Sequence, residues 1–558
     1  MGLYLNSKKP YNNYQEVVRS DYFVDKTGLL KELLPIVGPG KDAEPRGLIS
    51  GQNNKYICII RPRRFGKTIA ANMVASYFGK GYDSHYLFDG LKVSSDRLYE
   101  KHLNSHNVIS ITCSEMPRDC HDYRQYIDRI QERMLKDLIR EFPKAQISEK
   151  DALWDAFNNI YELEEAAKFI FVLDEWDFIF HRDFVSEGDK NSYINFLSNL
   201  LKDQPYVELA YMTGILPISK YSSGSELNMF FEYTMASEKR FCEYFGFSEP
   251  EVDQLYEKYL TKTDTPKITR EGLRGWYDGY HTMSGKKVYN PRSVVAALTN
   301  NNLGNYWTSS GSYYEIFYYV EKNVDDVRDE IALLVSGIAV PAKIREYAAT
   351  SMALSTKEEI FSAMVVYGFL SSEDGKVSIP NKELMSKFEE MLMKEPALGY
   401  VYRLARESDR MLKATLLGNV DDMAQILEYA HNTETPLLTY SSEIELTALV
   451  NLVYLSARDS YRVEREDKAG TGFVDFIFYP KDKRADGMIL ELKVDHTPEE
   501  AIAQIKERNY ALRFEGKLGE KPEYEGRILA VGIAFDKKNK KHSCKVEVLR
   551  ERYTKTGR

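Results

Sequence analysis

Two groups of side chains in this 558-residue chain have the types and spacing needed for phosphate and metal chemistry. The first is Gly66-Lys67-Thr68, which a short basic loop, Arg61-Pro62-Arg63-Arg64-Phe65, joins to the apolar run Tyr56–Ile60. A phosphate-binding loop needs backbone N–H groups turned toward the anion, a lysine that reaches the phosphate oxygens, and a hydroxyl for magnesium. The helical pattern from Thr68 to Phe78 that follows predicts the order strand, loop, helix.

This loop differs from the G-x-x-x-x-G-K-[ST] pattern because Arg61 stands where the first glycine is expected. That position therefore lacks the conformational freedom of glycine. The alternative interpretation is a basic turn that caps an ordinary helix. As a nucleotide site, the residues expected to bind phosphates are Arg64, Phe65, Gly66, Lys67 and Thr68.

A second motif supports the first, because the apolar run Lys168–Leu173 ends in two adjacent carboxylates. Such a run is typical of a central strand of a parallel sheet. We expect Asp174 to hold magnesium and Glu175 to act as the general base that polarises an attacking water. The alternative is a buried strand that simply reaches solvent. The presence of both motifs in one chain favours a nucleotide-hydrolysing site.

The order of the remaining segments fits an ATPase that carries its own catalytic glutamate. Asn107–Thr112 is predicted as a strand between the two motifs, and helices are predicted near Tyr123–Phe142 and Lys150–Leu163. A further strand, Tyr206–Gly214, has a hydroxyl near its end. Thr213 is the candidate contact for the γ-phosphate, and the alternative is a threonine that only ends a strand.

The second group of side chains lies near the end of the chain. Asp475 falls within a predicted strand, Phe473–Tyr479, and the run Gly487–Val494 alternates so that Glu491 and Lys493 share one face. Two carboxylates and a lysine are suited to binding Mg²⁺ and to stabilising the charge that develops at phosphorus. The alternative is an exposed cross-strand charge pair, which is common in sheets.

Together these segments resemble the AAA-ATPase-like proteins that often carry a C-terminal PD-(D/E)xK nuclease-superfamily domain. The resemblance rests on Arg61-Pro62-Arg63-Arg64-Phe65-Gly66-Lys67-Thr68, Leu173-Asp174-Glu175-Trp176-Asp177, Thr213-Gly214-Ile215-Leu216-Pro217, Trp276-Tyr277-Asp278-Gly279-Tyr280, Tyr289-Asn290-Pro291, and Asp475 with Glu491-Leu492-Lys493. It implies ATP and Mg²⁺ as cofactors and makes Arg61 a family variant of the loop. It also implies that Gln504 belongs to the nuclease-like site and that Glu445, or alternatively Glu443, is its third acidic residue.

The fold expected from these motifs is α/β. A P-loop core with a parallel sheet would occupy residues 1–240, a helical lid 241–300, a helical middle region 301–430, and a restriction-endonuclease-like domain 431–558. Residues 34–55 are predicted to form an inserted loop. Trp276-Tyr277-Asp278-Gly279-Tyr280 is predicted to be a packed turn with positive φ at Gly279, and the alternative is a direct nucleotide contact.

Composition narrows the class of protein. A net charge of −9 argues against a generally basic surface, although the turn Asp536–Lys541 is basic and either contacts a phosphate backbone or is a solvated hairpin. Five cysteines without a C-x-x-C pair disfavour a disulfide framework or structural zinc. We expect no signal peptide and no membrane span, and hence a cytoplasmic location. No G-x-S-x-G elbow is present, which disfavours a small-molecule hydrolase.

The resulting hypothesis is an ATP-driven switch or motor fused to a metal-dependent nuclease-like domain that acts on DNA or RNA. The alternative keeps the ATPase and treats the C-terminal fold as a non-catalytic module that docks nucleic acid or protein. A homo-oligomer is compatible with either hypothesis, since a neighbouring subunit could supply an arginine to the ATP site.

Overall fold

The computed structural model describes most of the chain. The described residues are 2–37, 54–163, 166–218, 226–235, 239–307, 324–344, 354, 356–432, 443–469, 472–514 and 524–552. They divide into two compact units, residues 1–316 with 341–384, and residues 317–340 with 385–558.

The first unit is an α/β fold whose strands and helices largely alternate along the chain. Its strands are β1 Tyr56–Ile60, β2 Asn107–Thr112, β3 Phe169–Asp174, β4 Val207–Gly214, β5 Phe231–Tyr233, β6 Tyr280–His281, β7 Lys287–Val288, β9 Ser371–Glu373 and β10 Lys376–Ser378, and β8 Val340–Pro341 lies at its boundary with the second unit. Its helices are α1 Lys8–Val18, α2 Gly28–Leu33, α3 Lys67–Phe78, α4 His85–Phe88, α5 Tyr99–His102, α6 Tyr123–Glu141, α7 Leu153–Leu163, α8 Glu187–Leu201, α9 Glu249–Lys262, α10 Arg270–Tyr277, α11 Pro291–Asn300 and α13 Lys357–Tyr367.

The central sheet of this unit is parallel and has the strand order β2-β3-β4-β1-β5. Every residue of β1 and β3 is buried, as expected of strands covered on both faces. The register pairs Ile60 with Gly214 and Leu173 with Met212. The carboxyl ends of β1, β3 and β4 therefore meet at one edge of the sheet, which is where ligands bind in open α/β folds.

Two hydrophobic clusters cover the faces of this sheet. One joins residues of α6, α7 and α8 to the strands, and the other joins residues of α1, α2 and α3 to the opposite face. A separate cluster forms the core of the three helices α9, α10 and α11. Ser248 and Glu251 form a capping box at the start of α9, which satisfies backbone N–H groups that the helix itself leaves without partners.

The second unit contains a mixed five-stranded sheet with helices around it. Its strands are β11 Tyr461–Ala469, β12 Gly472–Pro480, β13 Gly487–Val494, β14 Ile528–Asp536 and β15 Lys541–Arg550. Its helices are α12 Val324–Val335, α14 Lys382–Lys394, which begins in the first unit, α15 Tyr400–Leu417, α16 Val420–Asn432, α17 Glu443–Val453, α18 Ala457–Ser460 and α19 Pro498–Glu507.

The strand order of the second sheet is β11-β12-β13-β14-β15. Only the pair β13 and β14 is parallel, and α19 makes the crossover between these two strands. A Cβ on Gly532 of β14 would lie 2.4 Å from the carbonyl oxygen of Pro498. The close approach of α19 to the sheet therefore requires glycine at this position.

The structure confirms the α/β class, the parallel core sheet and the C-terminal nuclease-like α/β fold expected from the sequence, and it shows that the C-terminal sheet is mixed. The bounds of β12 and β13 agree with the predicted runs to within one residue at each end. A hairpin, β9 with β10, lies inside the middle region 301–430 that we expected to be helical. Most of the predicted inserted loop, and parts of the predicted helical middle region 301–430, lie outside the described residues.

Candidate functional site

The loop between β1 and α3 has the backbone shape required to approach an anion. Gly66, directly before α3, has φ 89°, and a Cβ at this position would meet no described atom within 4 Å. Arg64 also has a left-handed backbone, with φ 70°. The last turn of the loop thus leaves open space above the first N–H groups of α3, where an anion is favoured by the helix dipole and by unpaired donors.

Lys67 lies buried beneath this loop. Its Nζ donates hydrogen bonds to the carbonyl oxygens of Arg61 and Pro62, at 2.8 and 2.9 Å. Burial lowers the pKa of Lys67 to about 8, against the opposing attraction of Asp177 and Asp174. A partly desolvated ammonium group gains strongly from an anionic partner, so this lysine is suited to bind phosphate oxygens.

The backbone conformation at Arg61 does not require the glycine that the usual phosphate-loop pattern has at this position. The residue is absent from the positions with positive φ, so the backbone there suits any L-amino acid. Its side chain is buried, and its Nη1 donates hydrogen bonds to the carbonyl oxygens of Ile60 and Tyr233. The guanidinium group also lies 5.0 Å from the ring centre of Phe245. Arg61 therefore braces β1 against its neighbours and does not face a ligand through its side chain.

Asp174 stands at the carboxyl end of β3, next to two hydroxyl groups. Its Oδ1 accepts a hydrogen bond from Thr213, whereas its Oδ2 is buried and makes no hydrogen bond with a described residue. Burial raises the pKa of Asp174, and the nearby hydroxyls of Thr213 and Thr68 oppose this rise. A buried carboxylate oxygen without a hydrogen-bond donor, beside a threonine hydroxyl, suits a hard cation such as Mg²⁺.

Glu175 follows directly and has φ 55°, a conformation that is strained for a residue with a side chain. Its backbone N–H faces the Thr213 hydroxyl at 3.4 Å, and its side chain lines a large cavity of the first unit. Such strain is typical of functional positions, because the surrounding structure must hold it in place. Asp174 and Thr213 are both buried, and neither lines the cavity. The contacts of Thr213 suit it to orient Asp174 and the Glu175 backbone.

The cavity has a volume of about 970 Å³. Its wall includes the loop from Arg63 to Thr68, aromatic side chains from residues 22–23, and parts of α11. Six lysine or arginine residues and three aspartate or glutamate residues line it. The volume and this excess of positive charge fit a nucleotide with its phosphates.

The sequence assigned no individual role to three charged residues of the cavity, although one of them, Asp177, ends the Leu173–Asp177 segment on which the family resemblance rests. Arg182 stacks on Phe178, with 4.3 Å between the guanidinium carbon and the ring centre, while Arg292 lies in the first turn of α11. A cation near a helix N-terminus is unfavourable because it opposes the helix dipole. This unfavourable position is the feature of the sequence that could have marked Arg292 as a functional residue. Asp177 is buried and accepts hydrogen bonds from the N–H groups of Ile215 and Leu216, at 3.0 and 2.8 Å.

The turn predicted at Trp276–Tyr280 packs behind the phosphate loop. Gly279 has φ 105°, and a Cβ on it would lie 2.0 Å from the carbonyl oxygen of Pro380. Tyr280 meets Phe65 edge to face, with ring centres 4.9 Å apart. Phe65 is thus buried beneath the loop, and its aromatic contact holds the loop in position.

The second candidate site lies on β12 and β13 of the second unit. The register pairs Phe476 with Leu490, so Asp475 and Glu491 are neighbours across the two strands. Asp475 Oδ2 accepts a hydrogen bond from the N–H of Leu492 at 2.7 Å. Glu491 Oε1 accepts hydrogen bonds from Lys493, at 3.3 Å, and from Gln504 of α19. The structure therefore brings together four of the residues predicted from the sequence.

The electrostatics of this pair suit a divalent cation. Burial, and then repulsion from Asp475, raise the pKa of Glu491 to about 7. Glu491 Oε2 is buried and makes no hydrogen bond with a described residue. A cation between two such carboxylates would relieve both the repulsion and the missing hydrogen bond.

The third acidic residue expected at this site stays a prediction. Glu443 and Glu445 lie on α17, but their side chains are outside the part of the chain that the structure describes. Within the described part, no three His, Cys, Asp or Glu side chains form a cluster that could hold a metal alone. Mg²⁺ commonly uses one or two carboxylates together with water and phosphate oxygens, and both candidate sites offer a donor set of that kind.

Comparisons with known proteins identify both regions. Residues 47–223 match the family model of AAA-ATPase-like proteins, described as predicted AAA-ATPases, and residues 446–544 match a family of the PD-(D/E)XK nuclease superfamily. A solved structure, the Walker-type ATPase Paby2304 of Pyrococcus abyssi, is 14% identical with a TM-score of 0.34, over 65% of this chain and 94% of that one. A search of curated proteins gives no significant match. In the described part of the chain, no helix is both long and apolar enough to cross a bilayer.

Proposed function

Because the chain combines an AAA-ATPase-like domain with a PD-(D/E)XK nuclease-superfamily domain, we propose that it hydrolyses ATP and cleaves DNA or RNA at a metal-dependent site. The observation that carries the proposal is the same in both regions. Each places a buried carboxylate oxygen without a hydrogen-bond donor, on Asp174 or Glu491, beside a second polar group suited to a metal and near a lysine.

In the first site, each residue has a separate role in ATP hydrolysis. Lys67 places its charge against the phosphates, while Thr68 and Asp174 hold the metal ion. Glu175 accepts a proton from the attacking water, and Thr213 keeps Asp174 and the Glu175 backbone in place. Mg²⁺, when bound, neutralises phosphate charge and orients the oxygens.

The positive charge needed near the phosphates is available within one chain. Arg63, Arg64 and Arg292 all line the cavity. Partial desolvation, with repulsion from the guanidinium groups of Arg292 and Arg63, lowers the pKa of Arg64. A polyanion relieves this repulsion, which supports ATP turnover without an arginine from a neighbouring subunit.

In the second site, Asp475 and Glu491 would hold the metal and Lys493 would stabilise charge on the phosphate under attack. Gln504 positions Glu491 through its amide group. We place both activities in the cytosol, because all five cysteines are free thiols and a reducing compartment suits them.

A plasmid-nicking assay with Mg²⁺ or Mn²⁺ tests the nuclease half of the proposal. The wild-type chain is expected to nick the plasmid, and Asp475→Ala and Lys493→Ala are each expected to slow nicking about 100-fold or more, since each removes charge stabilisation from the reacting phosphate. Glu507→Ala, at an exposed position on α19, is the control and should nick at the wild-type rate.

Two outcomes of this assay would contradict nuclease activity. One is nicking that survives both substitutions unchanged, and the other is the absence of cleavage of plasmid, linear DNA and RNA alike. Either result, combined with intact ATP hydrolysis, would leave the C-terminal domain as a docking module for nucleic acid or protein.

A further inference from the structure

The turn between β14 and β15 is a concentrated basic surface on a protein of net charge −9. It contains four lysines within the five residues from Lys537 to Lys541, and all four side chains are exposed. We call residues 537–541 the basic turn. Asp536 holds its shape, because Oδ1 accepts hydrogen bonds from the N–H groups of Lys538 and Asn539, at 2.9 and 3.0 Å.

The acidic groups near the basic turn are already committed to other partners. Asp495 lies 3.5 Å from the Lys537 ammonium group and also accepts a hydrogen bond from its backbone N–H. Asp536 is occupied by the N–H groups of the turn, and Glu500 of α19 pairs with His496. Among the described residues, Lys538, Lys540 and Lys541 form no ion pair, although Lys538 attracts the Asp536 carboxylate electrostatically. With Asp495 and Asp536 counted against its four lysines, the basic turn keeps an excess of positive charge, and all four lysine side chains are exposed.

Strand register places the basic turn close to the candidate nuclease site. Lys493 pairs with Ala534, and Asp536, two residues further along β14, pairs with Lys541. Two strand residues span about 7 Å. Paired and alternate residues share a face of a sheet, so Lys541 leaves the sheet on the face that carries Glu491 and Lys493.

We propose that the basic turn is a binding surface for the phosphate backbone of the nucleic acid that enters the nuclease-like site. The inference rests on the proposed function. It states that the part of the nucleic-acid strand beyond the reacting phosphate binds to this surface. Exposed lysines that begin two strand residues beyond the register position of Lys493 suit sequence-independent contacts with phosphates, which position a nucleic-acid strand without reading its bases.

A binding experiment with the full chain tests this assignment. The probes are a fluorescein-labelled single strand of about 20 nucleotides, long enough to reach past the site, and the matching duplex, titrated in EDTA so that no cleavage occurs. The variant is Lys538→Gln/Lys540→Asn/Lys541→Gln, with asparagine at position 540 because the backbone there has φ 53°. Its control is Lys481→Gln/Lys483→Gln/Arg484→Gln, which removes the same charge from the exposed turn at the opposite end of β13.

The basic-turn variant is expected to bind at least about tenfold more weakly at about 0.1 M salt, and its plot of log affinity against log salt should lose about 2 units of slope. The control should stay within about twofold of wild type, because the proposal places no phosphate contact at that end of β13 and so no counterions are released there. An equal loss of affinity in both variants, or wild-type affinity and salt slope in the basic-turn variant, would overturn this inference. Either result would leave the proposed function standing.

A different result would reach further. If the wild-type chain binds neither probe at low salt, the nucleic-acid substrate of the proposed function is wrong as well. If the basic turn is instead needed for binding poly-glutamate and not for either probe, its partner is an acidic protein, and the assignment to nucleic acid is overturned.

Discussion

At the scale of single residues, burial is what gives both candidate sites their chemistry. Lys67 and Glu491 carry opposite charges, yet desolvation disfavours the charged form of each, with pKa values of about 8 and about 7. A ligand of the opposite charge restores the lost solvation. Burial therefore gives Lys67 a preference for phosphate and Glu491 a preference for a metal ion before either ligand binds.

The raised pKa of Glu491 predicts a pH-dependent loss of stability. Between its ordinary value near 4.5 and about 7, the folded state holds a proton that the unfolded state has lost. Stability contributed at this position therefore falls as pH rises through that window. In EDTA, Glu491→Gln should be more stable than wild type by about 1–3 kcal/mol at a pH of about 8 and show little difference at about pH 5.

Urea unfolding at the two pH values measures this difference. Glu507→Gln is the control, because its side chain is exposed, and it should unfold like wild type at both. A Glu491→Gln variant that is less stable than wild type at the higher pH would show that the carboxylate is well solvated or well paired, and would exclude burial as the cause of its raised pKa.

The sequence predicted the residues of both sites better than their surroundings. Gly66, Asp174 and Glu491 follow from motifs in which the chemistry demands a residue type. The role of Arg61 did not follow, because its partners, Tyr233 and Phe245, are far along the chain and only the fold brings them together. The inward position of Thr213 has the same explanation.

At the scale of elements, the ends of parallel strands position the side chains of the first candidate site, and two neighbouring strands of a mixed sheet position those of the second. The strands of the first site were predictable because their apolar runs are short, rich in β-branched and aromatic residues, and end at the motif residues. The hairpin β9–β10 was not, since its strands are three residues each and too short for a period-two pattern to show. The order and register of the strands could not be predicted from the sequence either. Both depend on side-chain packing between strands that are distant along the chain.

The turn after α10 offers a test at this scale. Gly279→Ala would set a Cβ 2.0 Å from the Pro380 carbonyl oxygen at φ 105°. The variant should lose about 3 kcal/mol or more of stability, since it adds a backbone clash to a strained φ. Its ATP affinity should fall too, because the displaced Tyr280 supports Phe65 under the phosphate loop.

Gly285→Ala is the matched control for this substitution. Gly285 also has positive φ, 74°, but a Cβ there meets no described atom within 4 Å. It should therefore lose only about 1–2 kcal/mol, which is the strain of the left-handed backbone itself. Denaturation curves of the two variants separate the effects, and equal losses would show that the contact with Pro380 does not matter.

At the scale of the whole molecule, the chain joins two units that each contain a carboxylate site suited to metal and phosphate. The family matches at residues 47–223 and 446–544 fall in different units. The sequence predicted four regions, and it placed the two motif groups in different ones because about 300 residues separate them, more than one domain usually spans.

ATP binding and hydrolysis by wild type, Lys67→Ala and Glu175→Gln in the presence of Mg²⁺ decide whether the first unit is an ATPase. Wild type should bind and hydrolyse ATP, Lys67→Ala should lose binding, and Glu175→Gln should bind ATP with turnover lowered about 100-fold or more, because the general base is gone. ATP binding and turnover at the wild-type level in Lys67→Ala would contradict the phosphate site, and with it the proposal that ATP drives this protein.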